Sequence, residues 1–492
     1  MSIDMTEFQI PHLEWEHIDF PLTIHNLVFE KTNWNFDKDA SITIWRDNRL
    51  RLKVEIKGVL RKVDEINKDS FIGEGNIITG QKITGRDSNF NLVELHDCFI
   101  GNTSHTGINS QGLALDTKAT IVLYSIRIVY KRAEKNIETT TTKFEWFICK
   151  TNSVRFNKST KRYLKKDVKL RIREGVDPED NYFSHLQGSS SSRDFCKVEL
   201  EEVSFLLGKV PENFVNSNLN GLFFEFRKNV ESIDEDLTFG VQKLVGFLLG
   251  NELINIGHSL VKGDILIESF AISVGEYPES NTMPPIKFNS QYEWGDFSYL
   301  INTYLPKYLE IRKELFLDVA IEKSFIAKNI PLGTNLPILA SALETIITKY
   351  FKSKQIKLFE YISEKEYLSI IEDELKIISL KLQNIYGNEI ILRKIKGAFR
   401  KGVNEKTLQF FSAINLEIGG EEQKAISLRN KMAHGSSDYS ANSKVYKDLV
   451  ASRVYEVLFN RVILTLLGYE GYYIDYSITG VPSKHISKPA GI

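Results

Sequence analysis

The first half of the chain alternates apolar and polar residues with a period of two. Apolar side chains occupy every second position in the runs 42–44 and 50–56, and Asp47-Asn48 separates the two runs. Such alternation buries one face of a strand, and a polar pair between two runs is typical of a hairpin turn. Runs rich in β-branched and aromatic residues predict further strands. These runs lie at Asn91–Ile100, Ala119–Tyr130, Lys143–Lys150, Val198–Leu207, Leu222–Arg227 and Asp264–Val274.

After Phe297 the spacing of apolar residues becomes helical. Between Leu336 and Tyr350 they recur at intervals of three and four, which places them on one face of a helix. Similar segments, separated by Gly and Pro, predict more helices. These segments lie at about 297–313, 364–383, 388–401, 405–415, 421–434 and 442–467.

The pattern therefore predicts an α+β multidomain chain. Residues 1–285 form an antiparallel β-rich domain with one helix near Gly240–Leu249. Residues 290–480 form an all-α helical bundle, and residues 481–492 form a C-terminal tail. With 30 Phe and 20 Tyr among 492 residues, the chain has ample material for large cores, which excludes a disordered protein.

Charge and cysteine content restrict the class of protein further. The net charge is −1, so any basic surface must be local. Cys98, Cys149 and Cys196 are far apart and show no CxxC spacing, which argues against a zinc module or a disulfide scaffold and favours the reducing cytoplasm. We expect no signal peptide, because no basic segment precedes an apolar run near the N-terminus. No apolar run approaches the roughly 20 residues of a membrane span.

Two patterns look like known sites but lack the required context. Gly75–Lys82 resembles a phosphate loop, yet Gln81 stands where that loop needs Lys, and its surroundings alternate like strands. His96-Asp97-Cys98 has no second pair of ligands nearby, so the end of a strand explains it better than a metal site does. We therefore expect neither a cofactor nor a metal ion.

Basic residues concentrate between positions 155 and 173, with Phe156 and Tyr163 among them. The residues of interest are Arg155, Lys158, Lys161, Arg162, Lys165 and Lys166. Two interpretations are equally open: a surface that binds RNA phosphates or an acidic protein trigger, or a solvated hairpin or edge strand that Lys protects from pairing. A second basic run lies in the helical half, at Arg393, Lys394 and Lys396.

The segment 427–435, SLRNKMAHG, carries the strongest candidate chemistry. Residues five apart on a helix differ by about 140° around its axis and about 7.5 Å along it. Arg429 and His434 therefore share a site if His434 lies on a frayed last turn, or if two copies of the helix meet in a dimer. The alternative is an ordinary amphipathic helix with a C-terminal His, which is favoured there as a cation.

The run from Arg429 to His434, near the end of an all-helical region, resembles the R-x4-6-H motif of the HEPN superfamily. The closing segment 466–472 is similar to the end of ApeA-type HEPN domains. In the first half, Ile83-Thr-Gly85 and the segment 93–98 are similar to the N-terminal domain of ApeA anti-phage proteins.

The resemblance implies a cytoplasmic defence protein of abortive infection, with a HEPN endoribonuclease that needs no metal and acts as a homodimer. It implies that Arg429, Asn430 and His434 are catalytic. Such families often place an acidic residue beside the motif Arg; Glu344, polar within an apolar helix, is the candidate, although a solvent-facing Glu fits equally well. The implied partners are RNA, with tRNA one candidate, and a phage-derived protein that triggers activity through the β-rich domain.

These residue types suit cleavage of RNA by its own 2′-OH. A His side chain ordinarily titrates near neutrality, so His434 can act as acid or base, whereas Arg429 offers a planar cation to phosphate oxygens. Asn430 can orient the phosphate or the His, and two protomers would supply two copies of His434. One alternative is a catalytically silent HEPN module for dimerisation or RNA binding. Another is a β-sandwich that binds carbohydrate or protein, with a helical oligomerisation tail.

Overall fold

A computed structural model describes most of the chain. The described residues are 22–30, 36–46, 52–59, 81–105, 117–122, 125–131, 141–149, 156–165, 168–173, 190–201, 203–209, 220–226, 235–262, 265–271, 282–288, 296–332, 334–355, 361–383, 385, 388–399, 402–433 and 442–491. An antiparallel sheet is followed by a helical region, which confirms the predicted fold class.

The bounds of the elements follow the chain. The strands of the large sheet are β1 Leu22–Glu30, β2 Ser41–Arg46, β3 Leu52–Gly58, β4 Gln81–Arg86, β5 Leu92–His105, β6 Thr117–Val122, β7 Ser125–Lys131, β8 Thr141–Cys149, β9 Lys158–Lys165, β10 Val168–Arg173, β11 Ser190–Glu199, β12 Ser204–Lys209, β13 Asn220–Phe226, β14 Ile254–Lys262 and β15 Ile265–Ala271. The helices are α1 Glu235–Leu249, α2 Phe297–Leu315, α3 Leu317–Lys328, α4 Leu336–Ser353, α5 Glu364–Ile370, α6 Glu372–Leu382, α7 Asn388–Lys396, α8 Val403–Ala413, α9 Gly420–Ala433 and α10 Asn442–Leu466. A small hairpin, β16 Tyr472–Ile474 with β17 Ser483–His485, follows the last helix.

The strands pair in the order β10-β9-β11-β12-β13-β8-β14-β15-β7-β5-β4-β1-β2-β3-β6, with an additional pairing between β5 and β6. Strands β1 and β5 each pair with different partners along their length, and the register shifts where the partner changes. Such shifts bend a strand and let it continue into a second sheet. Among the described strands, β1-β2-β3-β6-β5-β4 thereby form a closed cycle of pairings.

The predicted hairpin near residue 47 is confirmed in register. Ile42 lies opposite Ile56, and Ile44 lies opposite Val54, in the antiparallel pair of β2 and β3. All four side chains are buried, as the period of two predicts. Burial of each contributes roughly 1.5–3 kcal/mol. The predicted turn Asp47-Asn48 lies outside the described residues.

The middle of the sheet is buried on both faces. In β8 the consecutive residues Glu145, Trp146 and Phe147 are all buried, and every residue of β13 from Leu222 to Phe226 is buried as well. Strands covered on both faces contain continuous apolar and aromatic runs rather than alternation. This explains why aromatic content, rather than periodicity, identified these strands in the sequence.

Two predicted elements are each divided in the structure, and one helix was not predicted. The single strand predicted at Ala119–Tyr130 is two strands, β6 and β7, which pair with different parts of β5. The helix predicted at 364–383 is broken at Ile371, where the backbone leaves helical geometry between α5 and α6. Helix α3 was not predicted, because its apolar residues surround the axis: Ile321 is buried, whereas Val319 and Ile326 are exposed.

The chain folds into two compact units. One unit contains residues 1–238, 253–279 and 288–302, and the other contains residues 239–252, 280–287 and 303–492. Most of α1 thus belongs to the helical unit, whereas the sequence suggested a single break between 285 and 290. The predicted tail also belongs to this unit, and β17 lies within it. Among the described helices, none combines the length and apolar character needed to cross a membrane.

A buried ion pair anchors the beginning of α9 to α10. The Arg461 Nη1 atom lies 2.5 Å from Glu422 Oε1, and both side chains are fully buried. Arg461 Nη2 also donates to the carbonyl oxygens of Glu417 and Ile486, at 3.0 and 2.9 Å. The Ala490 N–H donates to Glu422 Oε1 at 3.2 Å, which ties the C-terminal segment to the same pair. Burial raises the pKa of Glu422, and the Arg461 charge opposes this effect.

Candidate active site around Arg429

Helix α9 presents a charged side chain at each end of its buried face. Glu422, Ala425, Ile426 and Arg429 follow the i, i+3, i+4, i+7 spacing of one helix face, and all four are buried. Glu422 also accepts the Gly419 N–H at 2.9 Å, so it satisfies a free donor at the helix N-terminus. The buried face of α9 therefore carries a carboxylate near the start of the helix and a guanidinium within its last two turns.

Arg429 is placed where three helices meet. Its Nη2 atom lies 3.1 Å from Oε1 of Glu344 on α4, and its Nη1 donates to the hydroxyl oxygen of Tyr455 on α10 at 3.4 Å. Arg429 is only 2% exposed, whereas the side chain of Glu344 is 48% exposed. The buried Tyr455 thus holds one end of the guanidinium, and the half-exposed Glu344 carboxylate lies on the side that faces solvent.

The Arg429 guanidinium has hydrogen-bonding capacity that its described neighbours leave unfilled. Neither Nε nor Nη2 donates a hydrogen bond to any described residue, because the approach to Glu344 is close but poorly aligned. A guanidinium carries five N–H donors, and buried polar groups are nearly always satisfied. A planar guanidinium with free donors is suited to an anion that offers two oxygens side by side, such as a carboxylate or a phosphate. Since Glu344 is half exposed, its displacement would open the guanidinium to such a ligand.

Tyr455 remains a neutral hydrogen-bonding group at this site. It is fully buried, and this burial raises its pKa to about 12, although the nearby Arg429 charge opposes the rise. Its hydroxyl therefore stays protonated at physiological pH and serves to position Arg429. Sequence reasoning missed this residue. The available signal was a hydroxyl-bearing side chain in the largely apolar segment 454–459 of a long helix, in which Glu456 is the charged residue.

The other predicted catalytic residues are described only in part. Asn430 belongs to the last turn of α9, but its side chain lies outside the described part of the structure. His434 also lies outside it, directly after Ala433, the last residue of α9. The structure does bring Glu344 to Arg429, as the sequence suggested, from a distance of 85 positions along the chain. The catalytic roles of these residues stay predictions.

The basic runs lie on other elements. Lys158, Lys161, Arg162 and Lys165 belong to β9, which forms a hairpin with β10, the terminal strand of the sheet order. Strand β9 pairs with β10 on one side and with β11 on the other, so these residues lie one strand in from the end of the sheet order. Both interpretations of the basic run stay open. Arg155 and Lys166 lie outside the described residues.

The second basic run ends a helix. Arg393, Lys394 and Lys396 are exposed in the last turn of α7, where cations complement the helix dipole. The dipole is thus one reason for cations at this position, and a binding role for the run stays a prediction. In the described ranges, no group of three or more His, Cys, Asp and Glu side chains is placed to hold a metal ion.

The chain matches no protein-family model, no curated protein and no solved structure. Its function must therefore be inferred from the residues themselves and from the arrangement around Arg429.

Proposed function

We propose that the protein is a metal-independent endoribonuclease of anti-phage defence, with its active site at the end of α9. One observation carries the proposal: a buried arginine with unfilled N–H donors lies five residues before His434, at the end of the helix. In the sequence, a cation that can bind phosphate is thus followed by a residue type that commonly serves as a general acid or base. The same residues carry the resemblance to the HEPN superfamily.

The proposed reaction uses the RNA 2′-OH as the nucleophile. His434 takes the 2′-OH proton, and the oxygen forms a bond to the adjacent phosphorus. The bond from phosphorus to the 5′-oxygen breaks, and a proton from a second His434 goes to that oxygen. The products are a 2′,3′-cyclic phosphate and a 5′-OH. Arg429 stabilises the charge on the phosphorane, Asn430 orients the phosphate or the His, and Glu344 and Tyr455 position Arg429.

The proposal includes a cytoplasmic homodimer, because one copy of α9 cannot supply both proton-transfer groups. The β-rich unit is proposed to sense a phage-derived trigger, since a general ribonuclease would otherwise harm its own cell. Light scattering is expected to give twice the chain mass of 56.4 kDa. A monomer in both the presence and the absence of RNA would contradict the dimer.

A second candidate function is a HEPN module that binds RNA or dimerises without cleaving. The depth of Arg429 favours this alternative: at 2% exposure, a phosphate reaches the guanidinium only if Glu344 moves. The two functions differ in one measurable property, the appearance of new RNA ends.

Purified protein is expected to cleave RNA in EDTA and to leave 2′,3′-cyclic phosphate ends, because no step of the proposed reaction uses a metal. The measurement is gel analysis of 5′-labelled RNA, with and without enzymatic removal of the terminal phosphate. Cleavage that requires Mg²⁺, or that leaves a 3′-OH, would overturn the proposed mechanism. Intact RNA with measurable binding, under conditions that activate the protein, would favour the silent module.

A further inference from the structure

A second cation, Lys323, lies on the surface formed by α3 and α4. The Lys323 ammonium donates to the hydroxyl oxygens of Ser341 and Thr345 on α4, at 2.9 and 3.0 Å. Thr345 in turn donates to the Ser341 carbonyl at 2.8 Å, which fixes its hydroxyl. The ammonium is therefore held at a defined position by two neutral groups.

The charge of Lys323 is not neutralised within the described part of the chain, where no carboxylate lies within 4.0 Å of its ammonium. An ammonium has three N–H donors, and the two hydroxyls take two of them. One donor and a full positive charge remain for a ligand. By contrast, the exposed Lys376 on α6 is paired with Glu372 at 3.1 Å and with Asp373 at 3.4 Å.

The spacing along α4 connects this cation to the proposed active site. Ser341 and Glu344 are three residues apart on one helix, so their Cβ atoms lie roughly 5–6 Å apart. Thr345 directly follows Glu344. Ser341, Glu344 and Thr348 are all exposed, so the face of α4 that carries them is open to solvent. Glu344 thus contacts Arg429 and shares its stretch of α4 with Ser341 and Thr345, the two residues that hold Lys323.

Arg429 has unfilled N–H donors, and Lys323 has a charge that no described carboxylate neutralises. Together the two cations suit two anionic groups that follow one another along a chain. Hydroxyl side chains and a fixed cation suit the sugar and phosphate groups of a nucleic acid backbone, which carries one charge per nucleotide. None of these residues is an aromatic side chain that could stack on a base, or an amide that could pair with one. The group is therefore better suited to bind the RNA backbone than its bases.

We propose that Lys323, held by Ser341 and Thr345, is a subsite for the phosphate next to the cleaved one in single-stranded RNA. The inference rests on the proposed ribonuclease function and extends it to a substrate-positioning residue. Lys323 binds the substrate without taking part in proton transfer.

The test compares Lys323→Gln with the parent full-length protein. Binding of a fluorescein-labelled single-stranded RNA is titrated across KCl concentrations in the His434→Ala background, where the RNA is expected to stay intact. Loss of one phosphate contact is expected to weaken binding and to make the slope of log Kd against log [KCl] shallower by about 0.7. Lys323→Arg should retain the parental slope, and Lys376→Gln should not change it.

Cleavage is measured with His434 intact. Lys323→Gln is expected to raise KM and to change kcat less than about twofold, since uniform binding affects KM alone. Melting temperatures check folding, and Lys323→Met, which keeps the apolar stem, replaces the Gln variant if that variant melts early.

The outcomes separate the subsite from the nuclease. A salt slope that depends on Lys323, in a protein that never cuts RNA, supports the subsite and contradicts the ribonuclease. Cleavage with a KM and salt slope independent of Lys323 overturns the subsite and leaves the ribonuclease intact. Absence of RNA binding overturns both.

Discussion

Replacement of Arg429 or His434 by Ala is expected to lower the rate of RNA cleavage by orders of magnitude. Removal of a preorganised cation that stabilises transition-state charge lowers kcat by about 10²–10³, and removal of a general acid or base lowers it by about 10²–10⁴. Arg429→Lys should also be strongly impaired, because an ammonium lacks the planar fork that binds two phosphate oxygens. The measurement is single-turnover cleavage of labelled RNA in EDTA.

A matched control comes from the same helix. Lys424 is exposed on α9 and pairs with Glu421, so Lys424→Ala should cleave RNA at the parental rate. Because Arg429 is buried, a melting curve must show that each of its variants is folded. An Arg429→Lys variant that is folded but inactive would show that the loss of activity is not a loss of stability. Retained activity in both Arg429→Ala and His434→Ala would refute the assigned site.

Arg461→Ala is expected to cause the largest loss of stability. The substitution leaves Glu422 buried without its cation and removes the donors to two carbonyl oxygens. Breaking a buried ion pair from one side costs about 3–5 kcal/mol. For a unit of 150–250 residues this corresponds to a fall in melting temperature of roughly 6–20 °C. Thermal unfolding followed by circular dichroism at a helix wavelength measures it.

A double variant tests the physical reason. Arg461→Met combined with Glu422→Leu removes both charges and keeps comparable volume, so the part of the loss that comes from the uncompensated Glu422 charge should return. The part that comes from the lost backbone hydrogen bonds of the two side chains should not return. If the single and double variants melt alike, the loss reflects packing rather than the uncompensated charge. If Arg461→Ala has the same melting temperature as the parent protein, the ion pair between Arg461 and Glu422 does not anchor α9.

Residue patterns predicted those parts of the fold in which one face is buried. The alternation around Ile42 and Ile56 specified both the strands and their register, because a slip of one residue would expose the core face. Helix α3 escaped prediction because apolar residues on all sides carry no periodic signal. The break at Ile371 escaped because helical spacing continues across it. Assignment of α1 to the helical unit depends on long-range packing that no local pattern contains.

The candidate site was predictable to the extent that its chemistry lies within one motif. Arg429 and His434 are candidates because the motif resembles that of the HEPN superfamily, and Glu344 is a candidate because such families place an acidic residue beside the motif Arg. The contact between Arg429 and Tyr455 joins two helices, and a tyrosine among apolar residues looks like core. The hydroxyl pair that holds Lys323 follows from the packing of α3 on α4, which the sequence did not reveal because α3 itself was not predicted.

The central claim is that Arg429 and His434 cleave RNA through its 2′-OH. The most direct test is sequencing of RNA ends, by a method that captures 2′,3′-cyclic phosphates, from cells that express the wild-type chain or His434→Ala at equal levels. The account predicts new cyclic-phosphate ends and slowed growth with the wild-type chain, and neither with His434→Ala. Identical ends and identical growth in the two cultures, under conditions that activate the protein, would contradict it.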